Sequence, residues 1–347
     1  MTVARNGGSD SRDKKIEQHM VSRTLIKNWR APQSKLVDYF DLRNGPRYRT
    51  ATPSQIMYRR SDDLGQGFVP VDYALELEQV WITIEAEADK SIRAVLLDVS
   101  IGSTHRKAIL DLMALHLLRS SETLGRFIGV QGEAANEVYD DAISDDEFKR
   151  IVLDEGMSHE EAESAVDQVI RAHDGLIQNS RRSFAEKMPR WLKRYRECMT
   201  TCGLILRRWE TGSLMLGDGP AFLSVGTCLE CETTTMFGML NKVTRCSAHF
   251  DVNVFWSGWH CWMPLSPGVV AQASPRVLNS DEILPCFETQ IHGLNKIQCQ
   301  RAQFRVAIPP GSRHVSEPFV QQYATFTPPT HPYKKAGVPP RCEQWNH

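Results

Sequence analysis

Apolar and polar positions divide the chain into a helical middle and a strand-rich later part. Residues 35–42 alternate as a strand does, with Asn44-Gly45-Pro46 as the turn after it. Asp72 is read as the N-cap of a helix to about Leu97, because Tyr73, Leu77, Val80, Trp81, Ile84 and Ala88 share one face. Residues 106–118 predict a second, more apolar helix. Ser158 and Glu161 form a capping-box pattern before a helix that carries Val166, Val169, Ile170 and Ile177. Residues 184–202 predict another amphipathic helix, which Pro189 should begin or kink.

After Gly203 the pattern changes. Residues 204–209 and 213–216 flank Glu210-Thr211-Gly212 and predict a hairpin. Strand-like pieces follow at 252–256 and 260–265, then a helix around 287–301 and a strand at 304–308. The expected fold is α+β, with a helical central region and a mostly antiparallel, later strand-rich part.

Composition narrows the function classes. The chain has 347 residues, enough for one large or two modest domains. Its 41 Lys and Arg against 42 Asp and Glu leave a formal net charge of −1. Wholesale attraction to nucleic acid or to an anionic membrane is therefore excluded as a global property. The densest apolar stretch, 109–118, is broken by Asp111 and His116 and falls short of the roughly 20 residues a membrane span needs. Residues 1–15 are polar and lack the apolar core of a signal peptide. The nine cysteines are accordingly expected in a reducing cytoplasm, bound to metal or buried rather than in disulfides.

The near-neutral total conceals segregation. Residues 21–60 hold nine basic side chains and two acidic ones, while 133–167 hold thirteen acidic side chains against Lys149 and Arg150. Residues 180–210 turn basic again. Such runs read first as solvated helix faces, and second as an acidic lobe that neutralises a basic face or competes with an anionic ligand for it. The expected organisation is a tail at 1–14, a single α+β unit at 15–325 with an acidic helical excursion at 121–180, and a Pro-rich tail at 326–347.

The sharpest local signal is Cys228-Leu-Glu-Cys231, fourteen residues, then Cys246-Ser-Ala-His249. Two close pairs of soft donors separated by a loop match a structural zinc site, in which each pair forms a knuckle and the two complete a tetrahedron. The loop at 227–250 is too short to build a core of its own, so a metal staple would help it fold. His260 or Cys261 could replace one ligand. Cys198 and Cys202, four apart on a predicted helix, read as two small buried side chains.

A second set consists of polar residues embedded in apolar stretches. His19 precedes an aliphatic and aromatic helix start. Glu78 and Glu85 lie seven apart, within about 20° on one helix stripe, with Trp81 between them. His116 and Arg119 end an apolar helix, and Asp218 ends an apolar strand in a tight turn. Together these stretches resemble the uncharacterised bacterial domain-of-unknown-function family 4238. The resemblance rests on His19, Val21, Ile26, Asn28 and Trp29, with Ser22 where the family has Pro, and on the Glu78–Glu85 helix. It continues through His116 to Ser120, with His116 where the family has Gln. Residues 216–220, Pro264-Leu265-Ser266-Pro267, Leu294-Asn295 and Ala302 complete it. It spans most of 16–308 and implies an architecture rather than an activity. The Cys/His segment and the acidic helices stand apart from it.

Buried polar groups must be satisfied, so His19, Glu78, Glu85, Arg119, Asp218 and Asn295 are expected to find one another. One reading is a hydrogen-bonded network joining the helical and strand-rich parts. The other is a metal-dependent hydrolase acting on nucleic acid or nucleotide phosphate esters. There Glu78, Glu85 and Asp218 hold Mg²⁺ or Mn²⁺, His19 is general base or a further ligand, and Arg119 clamps a phosphate. Alanine at Asp218 should then abolish activity and leave the melting temperature nearly unchanged. A non-enzymatic alternative is a zinc-stabilised interaction module that contacts nucleic acid, or a protein partner through its acidic helices. No phosphate loop and no Gly-x-Ser-x-Gly elbow occurs, and Ser266 between prolines reads as a strand ending.

Overall fold

The computed structural model describes residues 17–19, 21–43, 45–56, 58–60, 71–120, 153–154, 156, 158–225, 259–275, 283–302 and 304–324. Over these residues the fold is α+β, as the pattern predicts. Strand β1 (Glu17–His19) leads into the one-turn α1 (Arg23–Ile26) and a 3₁₀ turn at Lys27–Trp29. The hairpin β2 (Val37–Asp41) and β3 (Arg47–Ala51) follows, then β4 (Tyr58–Arg60). The helical layer is α2 (Val71–Leu96), α3 (Ser103–Leu118) and α4 (His159–Thr200). The later part comprises β5 (Gly203–Arg208), β6 (Leu216–Gly217), β7 (Phe222–Val225), β8 (Trp259–Ser266), β9 (Val269–Ser274) and β10 (Leu284–Pro285). Helix α5 (Glu288–Arg301), β11 (Arg305–Ala307) and α6 (Arg313–Tyr323) complete it.

The strands form a five-stranded sheet in the order β10-β5-β9-β8-β7, a four-stranded sheet β3-β2-β11-β6, and the pair β1-β4. All pairings are antiparallel except β10 with β5. Side-chain alternation explains how the five-stranded sheet is covered on both faces. Leu204, Leu206, Cys261, Met263, Leu265, Val269, Ala271 and Ala273 enter the main core with α2, α3 and α4. Trp262 and Val270, on the opposite face, pack with Leu214 and with Ile291, Leu294 and Ile297 of α5. In β2, Val37 and Tyr39 join the main core while Phe40 packs with Val306 and with Val320 of α6.

Several local expectations change. Helix α2 starts at Val71, so Asp72 stands inside its first turn instead of capping it. The two helices expected between 158 and 202 are one helix, begun by the Ser158–Glu161 capping box and continuous through Pro189. The lost backbone hydrogen bond and ring crowding at an interior proline cost roughly 3 kcal/mol. Burial of Phe184, Ala185, Met188 and Leu192 on both sides of exposed Pro189 offsets it. The helix stops at Thr200, which leaves Cys202 in the following turn, 5% exposed.

The hairpin expected around Gly212 does not form either. Both edges of β5 are taken, by β9 and β10, and β6 joins the other sheet beside β11. The 209–214 segment instead wraps the β8–β9 turn, where Trp209 N–H donates to Gly268 O (2.8 Å) and Leu214 N–H to Pro267 O (2.9 Å). The strand expected at 252–256 lies outside the described residues. Pro264 is tolerated in β8 because β7 pairs only as far as Trp262 and a bulge follows between Pro264 and Ser266.

Candidate functional site

The apolar α3 ends on a charged residue that it cannot expose. Arg119 is the C-cap, its N–H reaching Leu115 O and Leu117 O, and the residue is 1% exposed. A buried guanidinium needs partners. Helix α2 supplies them from one stripe. Arg119 Nη1 donates to Glu85 Oε1 at 2.8 Å, Nη2 lies 3.9 Å from Glu78 Oε1, and Cζ stands 4.3 Å over the Trp81 ring. The spacing of seven thus places the two carboxylates about the arginine, with the aromatic face between them receiving the cation. Both carboxyl groups keep partial access to solvent, at 24% and 18% side-chain exposure.

The N-terminal segment closes the cluster from another side. Ser22 caps α1 by accepting from Leu25 N–H at 3.3 Å, and its Oγ lies 3.4 Å from His116 Nε2. His116 is fully buried, and this burial, with the Arg119 charge beside it, holds its pKa well below the usual 6.5. The imidazole is therefore neutral. Burial raises the Glu78 carboxyl above the usual carboxylate range. Neighbouring Glu85 pushes the same way, and Arg119 and Arg23 pull against it.

This cluster is not saturated. Glu78 Oε1, Arg119 Nε and His116 Nδ1 are buried and have no hydrogen-bond partner among the described residues. An Nη2–Oε1 separation of 3.9 Å is a charge contact, beyond hydrogen-bond range.

Asp218 and Asn295 stand in a second group. Asn295 Oδ1 accepts from Met215 N–H (2.8 Å) while its Nδ2 donates to Ser213 O (2.8 Å). Gln298, one turn on, accepts from Gly217 N–H (2.7 Å) and donates to Pro220 O (2.9 Å). Gly217 is obligatory there, since a Cβ would sit 2.7 Å from Gln298 O. Asp218 accepts from Phe304 N–H at 2.7 Å and so ties the turn to the start of β11. The two groups approach where Gly219 faces Ser120, the residue after Arg119: a Cβ at Gly219 would lie 4.0 Å from the Ser120 Cβ. The N-terminal motif braces the same region. Asn28 Nδ2 donates to Leu265 O (2.8 Å) and Trp29 Nε1 to Leu214 O (2.9 Å). Ser266 Oγ accepts from Gly268 N–H, the strand-ending role expected of it.

His19 ends β1, its backbone paired with Tyr58, three residues before Ser22. Cys228, Cys231, Cys246 and His249 lie outside the described residues, in the connection between the neighbouring strands β7 and β8. Among the described residues, no three His, Cys, Asp or Glu side chains converge as a metal site. His260, on β8, pairs its Nδ1 with Gln272 Nε2 (3.1 Å), and Cys261 is buried in the main core. Ser22, Asn28, Trp29 and Gln298 were not singled out as site residues. Their partners are backbone groups or side chains up to 237 residues away, and no local spacing announces them. Compared with protein-family models, curated proteins and solved structures, the chain gives no match. No described helix is long and apolar enough to cross a membrane.

Proposed function

We propose that the Glu78–Glu85–Arg119 cluster is the centre of a metal-dependent hydrolase acting on phosphate esters of nucleic acid or nucleotides. The observation that carries this reading is the unsaturation of the cluster. Glu78 Oε1, Arg119 Nε and His116 Nδ1 are buried without hydrogen-bond partners among the described residues, beside two carboxyl groups that retain solvent access. The carboxyl groups are hard oxygen donors that retain solvent access, which suits Mg²⁺ or Mn²⁺, with His19 as the third donor or the general base. Such an ion would lower the pKa of a bound water and neutralise developing phosphate charge. Arg119 is engaged with Glu85 and buried, so its part is to fix the carboxylates rather than to clamp a phosphate.

The test is Mn²⁺-dependent cleavage of a fluorogenic phosphodiester by the full chain and by Glu78→Gln. Cleavage that needs the metal and falls at least about a hundred-fold in the variant, at an unchanged melting temperature, is the expected outcome. Equal rates in both proteins would sink the proposal.

A second reading is favoured by a different observation: Arg119 already has carboxylate partners. On it the chain is a non-enzymatic module that contacts nucleic acid, or a protein through its acidic segment. In either case we propose one structural zinc on Cys228, Cys231, Cys246 and His249. The support is the ligand spacing and the pairing of Val225 with Trp259, which brings the two ends of the connection side by side. The described cysteines, Cys198, Cys202, Cys261, Cys286 and Cys299, are free thiols, which supports a reducing, cytoplasmic setting. We further propose membership in domain-of-unknown-function family 4238, on the order of the matching stretches along the chain.

A further inference from the structure

The outer face of α4 carries a groove that the carboxylate cluster does not use. It has a volume of about 640 Å³ and is lined by Lys187, Arg190, Trp191, Lys193, Arg194 and Glu197. Four of these six are cations, and Trp191, half-buried, packs edge-on against buried Phe184 with ring centroids 5.6 Å apart. The groove follows from the helical repeat: residues 187, 190, 191 and 194 recur at the spacing of one face over about 10 Å of axis. The opposite stripe, with Met188 and Leu192, is buried in the main core. Arg196 is directed inward, onto Asp111 at 2.7 Å, and anchors the helix to α3.

The charge of this face is a local excess. Residues 181–197 contain seven Lys and Arg against Glu186 and Glu197, in a chain whose formal net charge is −1. Those two carboxylates make long, exposed ion contacts, Arg182–Glu186 at 3.5 Å and Lys193–Glu197 at 4.0 Å, and Glu186 interacts further within the chain. Contacts of that kind are weak and exchange readily with an incoming anion. Lys187 and Arg194 also interact within the chain, and both remain exposed.

We propose that this groove binds single-stranded nucleic acid, with Lys187, Arg190, Lys193 and Arg194 tracking the phosphates and Trp191 stacking a base. Charge complementarity selects a polyanion, and the indole within the cationic groove selects a strand whose bases are unpaired over an acidic peptide or a paired duplex. The site is separate from the carboxylate cluster, and binding there does not require turnover. It would give a chain of neutral overall charge a nucleic-acid affinity that composition alone excludes.

The test uses fluorescence anisotropy of a labelled oligothymidylate with the full chain, in chelator, over a salt series. Binding should weaken steeply with salt. In Arg190→Gln/Lys193→Gln, both exposed positions, the salt slope should fall by about 1.4 and low-salt affinity by about ten-fold. Trp191→Phe should lose the quenching of tryptophan emission that the oligonucleotide causes. Because the chelator removes the metal that the hydrolytic reading needs, binding under these conditions is decided independently of that reading. No binding at low salt would overturn the proposal, as would equal binding by Arg190→Gln/Lys193→Gln with unchanged circular dichroism. Displacement by polyglutamate as effective as by unlabelled oligothymidylate would overturn it too, and assign the face to an acidic protein.

Discussion

Two buried polar clusters in this chain are built on opposite rules. Around α5, Asn295 and Gln298 each use a side-chain oxygen and nitrogen on backbone groups of residues 213–220. Asp218 likewise accepts from the backbone of Phe304. Around Arg119, side chains serve one another, and three of their buried polar atoms stay unpartnered among the described residues. The first arrangement fixes the course of a strand that is only two residues long. The second stores charge and proton affinity at the margin of an apolar core. Backbone partners hold the first cluster, whereas the second, like the Asp111–Arg196 pair, leaves buried polar atoms open among the described residues.

The largest test of that contrast is Arg119→Met. It keeps an apolar chain of similar length but leaves Glu78 and Glu85 without their cation and Trp81 without its stacking partner. We expect a loss of about 3–5 kcal/mol in urea unfolding, the usual cost of breaking a buried ion pair from one side. A loss below about 1 kcal/mol would show that the cluster contributes little to folding. Next in size are Asn295→Ala and Asp218→Ala, each expected to cost about 1–3 kcal/mol because buried backbone groups lose their partners. Their effect on any turnover should track the loss of fold. An Asp218→Ala chain that melts unchanged but is inactive would move Asp218 from the strut to the chemistry.

The smallest effect concerns pH. The folded pKa of His116 lies well below 6.5, so as pH drops below 6.5 the unfolded chain takes up a proton first. Stability should then decline by up to about 1.4 kcal/mol per pH unit until the folded value is reached. Glu78 has the opposite sign. Its folded pKa is raised, so its contribution is present at low pH and is lost as pH rises through that value. Chemical unfolding between pH 7 and 5 should show the decline, and His116→Leu should flatten it. An unchanged slope in that variant would assign the acid sensitivity elsewhere.

Much of the first cluster is legible in the sequence. A seven-residue spacing of glutamates with Trp81 between them, and an arginine ending an apolar helix, are local patterns with one geometric outcome. The second group was half legible: Asp218 and Asn295 stand out as polar residues in apolar runs, but their partners are backbone groups that no spacing reveals. Helix continuity through Pro189 depends on burial of Met188 and Leu192 against other elements, a tertiary effect that outweighs local propensity. The hairpin expected at Gly212 failed for a similar reason. Local turn chemistry was right, with Gly212 at φ +60°, but both edges of β5 were already occupied by distant strands.

The position of β11 has a consequence in time. Among the described residues, this three-residue strand at 305–307 is the one bridge between β2, at 37–41, and β6, at 216–217. A ribosome must therefore translate past residue 307 before the four-stranded sheet can close. Until then β2 and β6 each present an open edge in a partly collapsed nascent chain, a state prone to mispairing. Chains released before residue 305 should therefore aggregate through these edges more readily than the completed fold does.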